Sequence, residues 1–199
     1  MKNLFKIKWL LPLCAIGIFV SCTKDFDKVN SNPNAASAAP ATNIFANGIV
    51  SVASTLFGTR LDLYYAGSYS GMNAAYYQGD YEYRVDINNG VWNGLYTAMN
   101  VFVDAMKTAE ADGNTNLQAA ALTMKAYTAQ KTTDMFGDIP YSEAFSAAEG
   151  KIYTKYDKQK DVYTALFAEL KSAADMFNSG TGPIGAGDFL FHGDVAKWK

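Results

Sequence analysis

The chain has 199 residues, 49% of them hydrophobic and 18% charged, with a formal net charge of −2. That is enough apolar material for one domain with a packed core, and too little charge for a disordered polyelectrolyte. A mildly acidic chain with no basic cluster also excludes nucleic acid as an electrostatically held partner.

Residues 1–21 read as a signal peptide. Lys2, Lys6 and Lys8 form a basic start, and Trp9 to Val20 is an apolar run. The run is shorter than the roughly 20 residues a membrane-spanning helix needs. It ends in Phe19-Val20-Ser21-Cys22, which resembles a bacterial lipobox, with cleavage before Cys22 and lipid on its sulfur; Phe19 stands where Leu is usual. An ordinary signal peptide with an incidental cysteine is the alternative. Of the two cysteines, Cys14 would leave with the signal and Cys22 would carry lipid, so no thiol would remain for a disulfide, a metal or nucleophilic catalysis.

Residues 22–40 form a tether rich in Asn, Ser, Ala and Pro. Lys24, Asp25 and Asp27 suit either a surface-export signal or a plain solvated linker. From residue 41, Phe45, Ile49, Val52 and Leu56 recur at the spacing of one helical face, with Pro40 placed for the first turn and Gly58 at the far end.

Residues 64–83 hold seven tyrosines, interrupted by Gly67, Gly71 and Gly79. Periodicity fails there, and the reading from about 72 to 89 is a long loop, a kind of segment that is usually functional.

Three further helices are predicted. Trp92, Leu95, Tyr96, Met99, Phe102, Val103 and Met106 form one stripe, ended by Asp112-Gly113-Asn114. Leu117, Ala121, Met124 and Tyr127 form another, with alanines at 119, 120, 121, 126 and 129 that permit close helix approach. DMFGDIPYSEA, residues 134–144, closes it: Gly137 supplies a left-handed position, Asp138 is expected to bind nearby backbone amides, and Pro140 cannot continue a helix. Asp157 is then the expected N-cap of a helix bearing Val162, Leu166, Leu170, Ala173 and Phe177. The two helices near 91–111 and 115–136 should lie antiparallel, the unit of a tetratricopeptide-like hairpin stack. Gly180 to Gly187 reads as a flexible crossing, after which Val195 and Trp198 are spaced as the first buried turn of another helix.

Catalytic constellations are poor. His192 is the sole histidine, so neither a Ser-His-Asp triad nor a zinc site can be assembled, and GTGPIGAG at 180–187 lacks the Lys-Ser/Thr of a phosphate loop. Asp80 and Glu82 could in principle serve glycoside cleavage, but nothing sets their separation. The chain therefore reads as a non-enzyme with no metal and no cofactor.

Cys22, DFDKVNSNPN, Trp92 with Leu95, Tyr96 and Asn100, DMFGDIPYSEA, Tyr156-Asp157 with Val162, Tyr163 and Leu166, and the final GDVAKWK follow one another in an order that resembles the SusD/RagB family of outer-membrane lipoproteins. The resemblance implies a mainly α fold of tetratricopeptide-like hairpins with an irregular, aromatic-rich loop region. Residues 41–199 would be the N-terminal helical region of a longer protein, with the C-terminal part missing. It also implies a lipid anchor in the outer membrane facing the exterior, a SusC-type TonB-dependent transporter as partner, and an oligosaccharide as ligand. Peptide capture in the manner of RagB, or a structural helical-repeat adaptor without a small ligand, are the alternatives.

Sugar recognition needs flat aromatic faces and planar polar groups. Tyr76, Tyr77, Asp80, Tyr81, Tyr83 and Arg84 supply both and are the expected ligand-binding residues. Packing of these tyrosines onto the helices, or contact with the transporter, fits them equally. Trp92, Tyr96 and Tyr127, at helical spacing, are expected in the core.

Overall fold

The computed structural model describes residues 39–58, 85–147, 150–151 and 153–199. Helices dominate them: α1 (Ala41–Gly58), α2 (Val85–Ala111), α3 (Thr115–Phe136), α4 (Gln159–Ser179) and the single turn α5 (Val195–Trp198). The helices predicted within the described residues are present; the signal peptide, residues 22–38, a second segment expected through Leu61, Tyr64 and Tyr65, and the expected loop up to residue 84 lie outside them. α2 begins at Val85, so residues 85–89, expected to be loop, belong to its first turns.

Each long helix packs on the next in chain order, and α1 also touches α3. The pairs run antiparallel: Phe45 meets Phe102 while Thr55 faces Gly94 between α1 and α2, and Lys125 meets Glu169 while Asp134 meets Tyr163 between α3 and α4. Small residues permit the close approaches. A Cβ on Gly48 would collide with the Phe102 ring, and Ala119, Ala120, Ala121, Ala126 and Ala129 of α3 are all fully buried. The apolar stripes thus serve as the helix faces that their spacing requires.

The α2–α3 turn is built as expected. Gly113 has φ +67, and the Asn114 side chain accepts the Leu117 N–H at 3.1 Å as N-cap of α3. Gly137 closes α3 with φ 76 and ψ −120, a conformation open only to glycine, and its N–H donates to the Thr133 carbonyl at 2.8 Å.

Both aspartates of the α3–α4 joint act at longer range than expected. Asp138 accepts from the Gln159 N–H at 3.0 Å and from Lys158 Nζ at 2.7 Å, so it serves the start of α4 rather than its own turn. Asp157 is not the N-cap; that position is Lys158, whose side chain makes no capping bond. Its carboxylate instead accepts from the N–H groups of Tyr141 and Ser142 and from the Ser142 hydroxyl. Between them, Ile139 and Asp157 exchange both backbone hydrogen bonds, at 3.2 and 2.9 Å. An antiparallel bridge brings each carboxylate closer to the other strand's amides than to its own.

The glycine segment after α4 is pinned rather than loose. Asn116 Nδ2 donates to Gly182 O and Asn114 Nδ2 to Pro183 O, both at 2.8 Å, and Thr181 N–H donates to Thr115 Oγ1 at 2.7 Å. Glycines are needed there because the chain runs against other backbone; a Cβ at Gly187 would strike the Thr42 carbonyl. Asp188, 1% exposed, gathers the N–H groups of Leu190, Phe191 and Gly193 and the Trp198 indole N–H. Burial works against its charge, but these four donors outweigh it and hold the carboxyl below its usual value. Trp198 in turn rests against Phe45 of α1 and edge-on against Phe191.

Candidate functional site

Cys22 and the expected ligand-binding residues Tyr76, Tyr77, Asp80, Tyr81, Tyr83 and Arg84 lie outside the described residues. Residue 84 directly precedes α2, so the described surface nearest to it in sequence is the first half of that helix.

An aromatic assembly occupies this helix. Trp92 and Tyr96, one turn apart, have ring centroids 4.8 Å apart. Phe136, the last residue of α3, meets Trp92 edge-on at 5.0 Å, and Tyr156 lies nearly parallel to Trp92, 6.3 Å away at 23°. Phe145 faces Tyr96 at 6.2 Å. Trp92 and Tyr96 are partly buried against the core formed by Met99, Ile139, Val162 and Leu166, in keeping with the role their spacing suggested. Tyr156 is 64% exposed and Tyr153 is 95% exposed. A tyrosine held against a tryptophan while its outer side stays in water is a pre-set platform for the apolar face of a ring.

The joint between α3 and α4 fixes the platform. Tyr96 Oη donates to the Pro140 carbonyl at 2.7 Å. Burial, with Tyr156 and Asp157 close by, pushes its phenol well above the ordinary range, so it remains a neutral donor. Asp157 stays charged next to it: burial opposes that charge, but donation from Ser142 and Tyr141 together with nearby Lys155 lowers the carboxyl below its usual value.

A second polar group sits behind the joint. Lys125 Nζ donates to Glu169 Oε1 at 2.6 Å and to Tyr141 Oη at 3.0 Å, and Tyr141 Oη donates to Glu169 Oε2 at 2.6 Å. The ammonium stands 4.7 Å from the Tyr141 ring centroid, so it meets the phenol oxygen more closely than the ring face. Burial and the Glu169 charge raise the Tyr141 phenol far above its ordinary value. The motif reading did not find this triad, though it left a trace: Glu169 interrupts the 162–166–173 stripe, and Lys125 stands between Met124 and Ala126 on a helix lined with alanine. A charge on a buried stripe requires a partner.

Tyr127, expected in the core, is 39% exposed, and Leu170 is 40% exposed. With Phe167 and Tyr163 they line an apolar groove of about 260 Å³ between α3 and α4. The alanines explain the difference, because small residues bring the helices together along Ala126 and Leu166 and leave the longer side chains at the rim. His192 lies in a tight turn at φ +54. Among the described residues no cluster of three or more His, Cys, Asp or Glu could hold a metal, and no helix is long and apolar enough to cross a membrane.

Comparison with known proteins follows the same lines. The family model for SusD-like proteins, described as starch-binding and associating with the outer membrane, matches residues 33–199. Among solved structures, a SusD/RagB family protein from Bacteroides thetaiotaomicron is 25% identical with a TM-score of 0.64, over 81% of this chain and 35% of its own. A protein described as chitin-binding is 29% identical with the same TM-score of 0.64, over 81% of this chain and 36% of its own. A SusD homologue from Bacteroides fragilis, 21% identical with a TM-score of 0.54, shares the fold over 79% of this chain and 33% of its own. The chain thus spans about a third of the length of these solved proteins. No curated protein sequence matches it.

Proposed function

The chain belongs to the SusD-like family, and on that premise we propose that it is a non-catalytic binding protein that captures oligosaccharide and passes it to a SusC-type TonB-dependent transporter. The family match over residues 33–199 carries this reading. The exposed face of Tyr156, backed by Trp92, supports it chemically, as does the description of one similar structure as chitin-binding. In the proposed arrangement Tyr76, Tyr77, Tyr81 and Tyr83 add further stacking faces, while Asp80 and Arg84 pair with sugar hydroxyls. Cleavage before Cys22 and lipidation of its sulfur anchor the protein to the outer membrane, facing the exterior, with residues 22–40 as tether. Acyl chains contribute about 0.8 kcal/mol for each buried methylene, so more than one chain suffices for stable attachment.

Calorimetry against starch, chitin and peptide panels tests the ligand class. Saturable glycan binding is expected to fall by about tenfold in Tyr156→Ala, the loss of one stacked ring, and by more in Tyr77→Ala/Tyr81→Ala, the loss of two. Binding of peptides alone, or turnover of any glycan, overturns the proposal. Incorporation of labelled palmitate should disappear in Cys22→Ser.

A further inference from the structure

Behind the aromatic platform, α2, α3, α4 and the segment after Pro140 border an open cavity of about 310 Å³. Its walls are of two kinds. Val103 and Met106 of α2 and the ring of Phe145 form an apolar side, while Lys125, Glu169 and Lys107 supply polar groups. Tyr141 and Ser142 complete the lining.

The backbone at Phe145 singles this cavity out. Phe145 has φ +67, in the left-handed region that bulky side chains avoid. Such conformations persist where the surroundings over-determine them, and they concentrate at ligand sites. Here the left-handed residue places an aromatic ring against Tyr96 on one side and the cavity on the other.

The polar groups have capacity to spare. Lys125 uses two of its three N–H donors on Tyr141 and Glu169. Each Glu169 oxygen accepts one bond, which leaves a lone pair on both. Lys107, exposed at the rim, has no ion-pair partner among the described residues.

We propose that this cavity is a subsite for a single pyranose ring, the terminal residue of a glycan, stacked on Phe145 and held by Glu169, Lys125 and Lys107. The carboxylate accepts from two neighbouring hydroxyls, and the two ammonium groups donate to ring or hydroxyl oxygens. A wholly apolar ligand would strand the polar triad. A divalent cation would find one carboxylate faced by an ammonium. The volume, at the low end of the roughly 300–1,000 Å³ of small-molecule sites, suits one ring, and the open mouth lets the rest of a glycan extend outward. The inference rests on the oligosaccharide reading above and adds a second point of contact for the same ligand class.

The test uses the 199-residue chain with glucose, N-acetylglucosamine and glucuronate as probes, and with free amino acids for comparison, followed by saturation-transfer and titration NMR. Phe145→Gly removes the ring at a position glycine tolerates, and Glu169→Gln removes the charge while keeping the shape. Each is expected to weaken monosaccharide binding by at least about tenfold, read below the unfolding transition of each variant because Glu169→Gln also weakens the pair with Lys125. Lys107→Met, at the exposed rim, serves as the readout if either of the others fails to fold, and should lower binding of glucuronate most. Monosaccharide binding indifferent to these cavity substitutions overturns the subsite. So does oligosaccharide binding without any monosaccharide binding, which leaves the family-based reading standing. Amino-acid binding without sugar binding overturns the sugar assignment, and no glycan binding of any kind overturns both.

Discussion

Asp138 and Asp157 cap crosswise: Asp138 accepts the N–H of Gln159, two residues beyond Asp157, and Asp157 accepts the N–H groups of Tyr141 and Ser142, just beyond Asp138. The Ile139–Asp157 backbone bridge lies between them and keeps both bonds in register. This closure holds Pro140 under the Tyr96 hydroxyl and Tyr156 beside Trp92, so the platform and the joint form one unit.

The joint should loosen in acid. Asp157 and Asp138 both have lowered carboxyl values in the folded protein, Asp157 because hydrogen bonds outweigh its burial and Asp138 chiefly through Lys158. A carboxyl lowered on folding stabilises fully above its unfolded value, about 3.9, and loses that contribution as pH falls through the folded value. Asp157→Asn is expected to cost about 1–2 kcal/mol at neutral pH. In urea unfolding the gap to wild type should close below about pH 4; a gap independent of pH would show that ionisation is not what the amides recognise.

Close packing of α1 on α2 depends on Gly48. A methyl group there meets the Phe102 ring, which is itself fully buried. Gly48→Ala should destabilise by about 1–3 kcal/mol, and adding Phe102→Leu should recover part of that loss. Gly90, on the same helix as Phe102, faces open space, with nothing within 4 Å of where a methyl group would stand, so Gly90→Ala should be neutral or stabilise by up to about 1 kcal/mol. Thermal unfolding of the three variants gives the comparison.

The Lys125–Glu169 pair should behave as a partly buried ion pair. The two side chains are 13% and 24% exposed. Lys125→Met leaves Glu169 without its cation and is expected to cost about 1–3 kcal/mol, between the exposed and the buried case. Lys125→Met/Glu169→Leu removes both charges and should be more stable than the single variant. Denaturant titration of both, with wild type, measures the coupling directly.

Asp188 is the anchor of the last described segment. Asp188→Asn puts an amide N–H against groups that all donate, and should cost about 2–4 kcal/mol. Because Trp198 donates to the same carboxylate, hydrogen exchange at residues 188–199 should rise before exchange in α2 or α3 changes. Uniform acceleration throughout would mean that the segment does not open separately.

Helix existence and order were legible in the residues, because burial of one face leaves a period that needs no knowledge of the partner. Phe45, Ile49 and Val52 on α1, and Val162, Leu166, Ala173 and Phe177 on α4, occupy the core as their spacing requires. The start of α2 shows no stripe, because Asp86, Asn88 and Asn89 are polar and Gly90 follows them. Tyr127 and Leu170 followed the period yet lie at a groove rim, since periodicity marks the side of a helix and not how far a neighbour extends over it.

The amino-acid sequence by itself determined a hairpin-forming helical chain, its turn at Gly113, its stop at Gly137 and the order of motifs that marks the family. Only the tertiary structure decided which groups meet: Asp138 with Gln159, Asp157 with Ser142, Asn116 with Gly182, and Lys125 with both Tyr141 and Glu169. A helix reports itself locally through repeating contacts three and four residues apart. A hydrogen bond across tens of residues depends on how every intervening segment packs, and no short stretch of sequence carries that information.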